Sequence, residues 1–430
     1  MFQTNIQTHF SKVEKQNHNQ NRPVSLTPGQ IIQGKVVKLF PNNIASLQIN
    51  GIQLTGVLEA PLTAGERYWF EVKESKGLPH LQVLDAKSSK TTGQPQAASV
   101  ERLLQQLGLA NVKMAEAFTS FLTKQNINFS KQTIVTGSQL LGQLPNTEEG
   151  LPIIAEMIKK NLPLTKEIFD AIRAVTNGPS LSSQVQGLAG LLETSTNTVA
   201  RDIHQQLNQI VKEMVIQPVT GSNQLPEQVR TMIQMLGYSH ENGLMEHVQG
   251  TRTETTSQSE TLKALLLQMQ QQELPLNVKE SASQLLHRLT GQQLLSHDQI
   301  GSLHTWLVQL PIQLGSFHTD LAIQWEGKNN TENQLDPSFC RILFYLTLER
   351  LKDMVVDVHI QNRILSVTIF NETQKPQALL DVLTPILKKS LHEQEYELLS
   401  VMWKPLKAAV QKQHQPYQQK ASYQGVDIRV

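Results

Sequence analysis

Few residues of this chain stand where they could do covalent chemistry. The 13 His residues are scattered, and neither the pair His240 and His247 nor the pair His287 and His297 has Cys or acidic neighbours at metal-ligand spacing. Asp353 and Asp357 lie four apart, on one face of a strand, but two carboxylates without a cleft do not make an acid–base pair. The single Cys340 sits in an apolar run and reads as a buried thiol. No G-x-x-x-x-G-K-S/T or G-x-G-x-x-G phosphate cradle and no G-x-S-x-G nucleophile turn occurs. The expectation is a protein without cofactor or metal that works by contact and not by catalysis. Two features remain as contact candidates. Asp336-Pro337 reads first as a turn or cap, and Arg341 points away from the Cys340 face, as a solvated edge charge or a partner contact.

The elements that would carry these residues follow from composition and periodicity. At 430 residues the chain is too long for one core. Only 39% of it is hydrophobic and 17% charged, with Gln, Asn, Ser and Thr making up the shortfall, so folded modules separated by polar segments are expected. A net charge of +1 provides no global field for nucleic acid or an anionic membrane. No run approaches the ~18 apolar residues of a membrane span, which predicts no stable membrane insertion. The N-terminus has no charged segment followed by an apolar one, which predicts folding in the cytoplasm.

Residues 1–28 are polar and read as a disordered leader, either a frayed terminus or an uncleaved type III export signal. Residues 29–85 carry about five short strands, with Asn50-Gly51 as a hairpin turn, and fit a small β-barrel. Tyr68, Trp69 and Phe70 are adjacent, so a strand splits them between faces and denies them one stacking platform for nucleic acid. Residues 86–98 read as a linker. Residues 99–309 read as mostly α-helical hairpins with polar linkers, 179–200 and 249–260 being the loosest. Val100, Leu103, Leu104 and Leu107 open that region with helical spacing before Gly108. Within it Lys124–Lys131 resembles Lys159–Lys166, and Gln272–Asn277 is a third, partial copy. Each ends a helix, crosses an apolar turn, and offers Ser, Thr or Asn to cap the next one. The unequal spacing of the copies argues against a solenoid.

Residues 310–406 read as a two-layer α+β domain, followed by a polar tail at 407–430. Strands are expected around Leu321–Trp325, Cys340–Leu348, Met354–Ile360 and Leu365–Ile369. Leu379, Leu380, Leu383, Ile386, Leu387 and Leu391 then form a helical stripe to cover the sheet, with Pro385 bending or restarting the helix. Leu398–Trp403 closes the sheet.

This last block carries a family resemblance. Trp325-x-Gly327, Asp336-Pro337-x-x-Cys340-Arg341-Ile342-Leu343-Phe344-x-Leu346, the long hairpin, Leu387-x-x-x-Leu391 and the final strand resemble the C-terminal domain of flagellar hook-length control proteins of the Gram-positive type. The chain end Gly425–Val430 is similar to endings in that group. One departure stands out. Where better-studied members carry Leu-x-Pro-x-x-Leu-Gly, this chain has Leu346-Thr347-Leu348-Glu349-Arg350-Leu351-Lys352, so a different turn is expected.

The resemblance implies a cytoplasmic protein that is exported through the flagellar type III apparatus. Its middle would report hook length. Its C-terminal domain would contact the cytoplasmic domain of the export-gate switch protein and turn the exporter from rod-and-hook to filament substrates. By the same analogy the contact residues would be Asp336, Arg341, Leu346, Leu348, Leu351 and Val355. A family-related adaptor with another partner is the alternative, followed by a small-barrel nucleic-acid-binding protein.

Overall fold

The computed structural model describes residues 26–49, 52–60, 62–75, 77–84, 96–213, 225–238, 261–300, 303–314, 317–329 and 335–406. The expected leader, the tail, Asn50-Gly51 and the loose segment 249–260 lie wholly or almost wholly outside these residues, as do residues 86–95 of the expected linker, whose last three residues belong instead to the first helix.

The N-terminal β domain contains β1 (Gln30–Leu39), β2 (Ile44–Ile49), β3 (Ile52–Leu58), β4 (Arg67–Lys73) and β5 (His80–Val83). Its sheet runs β2-β3-β5-β4-β1, and β1 also pairs with β2, so the strands close into a ring. Alternation fixes what points where. Ile32, Val36, Tyr68, Phe70 and Val72 fill the ring interior with Leu47, Ile49 and Leu81. Gly34 faces the same way, and a Cβ there would press on Ile49 and Phe70 at 3.1 and 3.3 Å. Ile31 and Trp69 face outward into the helices that follow. Tyr68, Trp69 and Phe70 are thus divided between faces, as their adjacency requires.

The middle is helical: α1 (Gln96–Gln106), α2 (Ala115–Lys124), a two-residue strand β6 (Phe129–Ser130) paired to β1, α3 (Lys131–Gly142), α4 (Thr147–Lys159), α5 (Lys166–Thr176), α6 (Leu181–Glu193), α7 (Thr198–Glu213), α8 (Leu225–Leu236), α9 (Leu262–Gln271) and α10 (Leu276–Ser296). The first two repeat copies share one device. Asn126 and Asn161 take left-handed backbone at φ 54° and 53°. Ile127 N–H and Leu162 N–H then reach back to the Leu122 and Met157 carbonyls. Ser130 and Thr165 cap the next helix. The third copy differs: α10 begins at Leu276, so Asn277 is inside the helix and is not its cap. The segment 179–200 is also not loose. It is mostly α6, with Leu181, Val185, Leu188 and Leu192 buried.

The C-terminal sheet has seven strands in the order β13-β12-β11-β10-β9-β8-β7. They are β7 (His297–Ile300), β8 (Leu303–Leu314), β9 (Phe317–Asn329), β10 (Leu335–Leu348), β11 (Lys352–Gln361), β12 (Ile364–Asn371) and β13 (Glu397–Lys404). The sheet therefore starts before residue 310. All pairs are antiparallel except β12–β13, which are joined through α11 (Gln377–Glu393). The domain is mostly β, and the two-layer α+β expectation needs correcting. Because β13 is an edge strand, the helix preceding it hangs at the sheet margin, packs chiefly on β13 and has no fully buried residue. Pro385 interrupts nothing, since α11 runs through it as one helix.

Two cores tie the parts together. One joins Ile31 and Trp69 to α1–α5. The other joins α6–α10 to Leu310, Ile312 and Ile323 of the sheet.

Candidate interaction surface

The six contact residues singled out from the sequence do not form one surface. In the β10–β11 register Leu346 stands opposite Met354, Tyr345 opposite Val355 and Arg341 opposite His359. Opposed residues share a face, so Leu346 and Leu348 lie on one side of the sheet while Arg341 and Val355 lie on the other. Leu351 is in the connecting turn. Asp336, at the far end of β10, accepts a hydrogen bond from Ser338 N–H at 2.9 Å, which is the turn role expected of Asp-Pro.

Arg341 is engaged within the sheet. Its Nε and Nη2 donate to the two oxygens of Asp357 at 2.9 and 3.0 Å, and Nη1 donates to Glu326 at 3.3 Å. His359 Nε2 lies 3.2 Å from Asp357. Burial alone would raise the Asp357 carboxyl, but hydrogen bonds from His359 and Arg341 outweigh it and hold the pKa at about 2. Burial would lower the Arg341 pKa, whereas Asp357 and Glu326 raise it above the usual guanidinium value. Tyr345 donates to Gln324, which donates to Glu326 at 2.7 Å, completing a polar patch across three strands. The fork-on-carboxylate geometry makes Arg341 a strut of this face.

In the turn after β10, Lys352 adopts φ 56°, a left-handed backbone that strains a residue with a Cβ.

A row of open apolar side chains lies on α11. Leu379, Val382, Leu383, Ile386 and Leu387 recur with helical spacing and are 40–62% exposed. Leu391 alone of the apolar residues of the stripe packs on the cluster of Val358, Ile360, Leu365, Val367 and Leu398. Beside the helix Leu399 and Met402 of β13 are exposed too. Sequence periodicity found this stripe and assigned it to the sheet; the structure turns most of it outward. Such a stripe can dock into a groove, with side chains at i, i+3, i+4 and i+7 as anchors.

A second polar group was invisible in the sequence. Arg288 of α10, 2% exposed, donates to the Ala174 and Pro179 carbonyls at 3.0 and 2.5 Å and to Gln309 of β8 at 3.1 Å. Asp320 of β9 accepts from Leu181 N–H at 2.7 Å and Ser182 N–H at 3.1 Å, capping α6 from the sheet, and stands 3.9 Å from Arg288. Burial lowers the Arg288 pKa while Asp320 opposes it. These residues join helices to sheet. Among the described residues no group of three His, Cys, Asp or Glu could hold a metal, and no helix is long and apolar enough to cross a membrane.

Against known proteins, residues 6–82 match the family described as the TP0910 S1-like domain, so the match takes in much of the presumed leader as well as the ring-closed strands. The chain is 36% identical over 124 residues to the uncharacterized protein YlqG of Bacillus subtilis strain 168. That alignment covers 29% of this chain and 21% of YlqG, so the chain spans about a fifth of that relative's length. No solved structure matches.

Proposed function

We propose that this chain is a non-catalytic interaction protein that acts through its C-terminal sheet domain, with the α11 stripe as the docking element. The observation that carries the reading is the exposure of five large apolar side chains on one helix face, next to a sheet edge. A contiguous apolar patch of this kind on a folded domain marks a contact site. Arg341 and Asp357 lie on the opposite side of the sheet from α11 and brace it there, each satisfied by the other.

The resemblance of residues 310–406 to hook-length control proteins supplies the partner. In this reading the chain travels to the flagellar type III exporter, its middle reports hook length, and its C-terminal domain engages the cytoplasmic domain of the export-gate switch protein. An unfolded chain reaches ~3.3 Å per residue, so the middle is long enough to serve as a measure once threaded. The small barrel expected at residues 29–85 belongs to the same proposal, as a module that must unfold before export.

Hook length in cells lacking this gene, seen by electron microscopy, tests the reading. Overlong hooks without filaments are expected. Normal hooks with normal filaments would reject length control and leave an adaptor with another partner. The docking element has its own test: Leu383→Asp with Ile386→Asp should weaken binding to the gate domain about tenfold or more. The same variant should change the unfolding free energy in urea by no more than about 0.5 kcal/mol, because both side chains are already exposed.

A further inference from the structure

The outer face of the N-terminal β domain holds a cleft of about 390 Å³ that the contact function does not use. Its floor is the strand face of β1, β2 and β4 that carries Gln33, Lys35, Gln48, Arg67 and Trp69, and its roof is the turn after α2 around Asn128. Two observations point to a ligand. Lys35 and Arg67 stand directly opposite one another in the β1–β4 register, putting two cations at one edge of the cleft. No Asp or Glu lines it, so that positive charge is not neutralised within the cleft.

We infer that this cleft binds a small phosphate-bearing ligand, a phosphate monoester or free phosphate. Paired cations across a strand pair match the double charge of a phosphate group, and charge-assisted hydrogen bonds are the strong ones. The amides of Gln33, Gln48 and Asn128 offer donors and acceptors together, which suits a heteroatom-rich group attached to the phosphate. The volume falls within the range of small-molecule sites. Thr123 and Asn126 to Asn128 line the cleft together with the strands, so on this proposal the occupant is a mononucleotide-sized molecule and not a continuous strand of nucleic acid.

Isothermal titration of the full chain with inorganic phosphate, and separately with uridine 5′-monophosphate, tests this. Binding of either at millimolar concentration, weakened about tenfold by Lys35→Gln or Arg67→Gln, is the expected result. Both side chains are exposed, so the urea midpoint of these variants should stay put. Tighter binding of the nucleotide than of phosphate, with the difference removed by Gln33→Leu, would identify an ester as the source; equal binding would identify free phosphate. No heat with either probe, or binding indifferent to both substitutions, would overturn the inference. Affinity that climbs with the length of a single-stranded oligonucleotide would overturn it too, because the roof would then not bound the site.

Discussion

At the scale of single residues, Asp320 carries more than its position suggests. It caps α6 from a strand 138 residues later in the chain and stands beside the buried Arg288. Asp320→Ala should lower the unfolding free energy by about 3 kcal/mol in urea titrations, combining a lost cap with an uncompensated buried cation. Asp357 gives a pH signature. Its folded pKa of about 2 lies below the ordinary 3.8, so its contribution is complete above about pH 4 and is lost as pH falls through 2. Stability should drop by on the order of 2 kcal/mol across that window, and Asp357→Asn should flatten the profile there. Little of this was legible in sequence. That Arg341 faces away from Cys340 follows from strand alternation, but its carboxylates come from neighbouring strands, which no local spacing reveals. The Asx-type turn at Asp336 was legible, because that bond is local.

At the scale of elements, local chemistry was readable and long-range covering was not. The turns at Asn126 and Asn161 repeat because an apolar residue and a Ser or Thr cap follow each at fixed distances. Strand β8 escaped because the block was read as starting at residue 310, near the strand's end; its Pro311 lies past the last residue paired to β7, where that edge of β8 has no partner among the described residues. The stripe on α11 was legible as amphipathic, but periodicity names an apolar face without naming what covers it. Two backbone predictions belong here. Lys352→Gly should stabilise the β10–β11 hairpin by roughly 1 kcal/mol in thermal melts, since the left-handed conformation penalises a Cβ. Gly291→Ala should do the opposite by about 2 kcal/mol or more, because a Cβ there would meet the Ala171 carbonyl at 2.1 Å where α10 crosses α5.

At the scale of the whole molecule, the sequence divides into three compositional regions, whereas the packing divides it differently. Ile31 and Trp69 belong to the helical core although they lie on strands. A fragment ending at residue 85 would expose both, so its urea midpoint should fall below that of the β domain in the intact chain, followed by tyrosine and tryptophan fluorescence. Composition missed this because an outward Trp on a strand looks the same whether solvent or a helix lies beyond it. The helix α10 has the widest reach: it packs on α5, α6, α9 and β8. Under a pulling force such a helix behaves as a shared crossbeam. Tension applied at the chain ends can strip outer strands singly, but once it reaches α10 the helices on both sides lose their common support together. An optical-tweezers trace should therefore show one large rip for this region in place of a staircase, and a motor drawing the chain through a pore would meet its hardest step there.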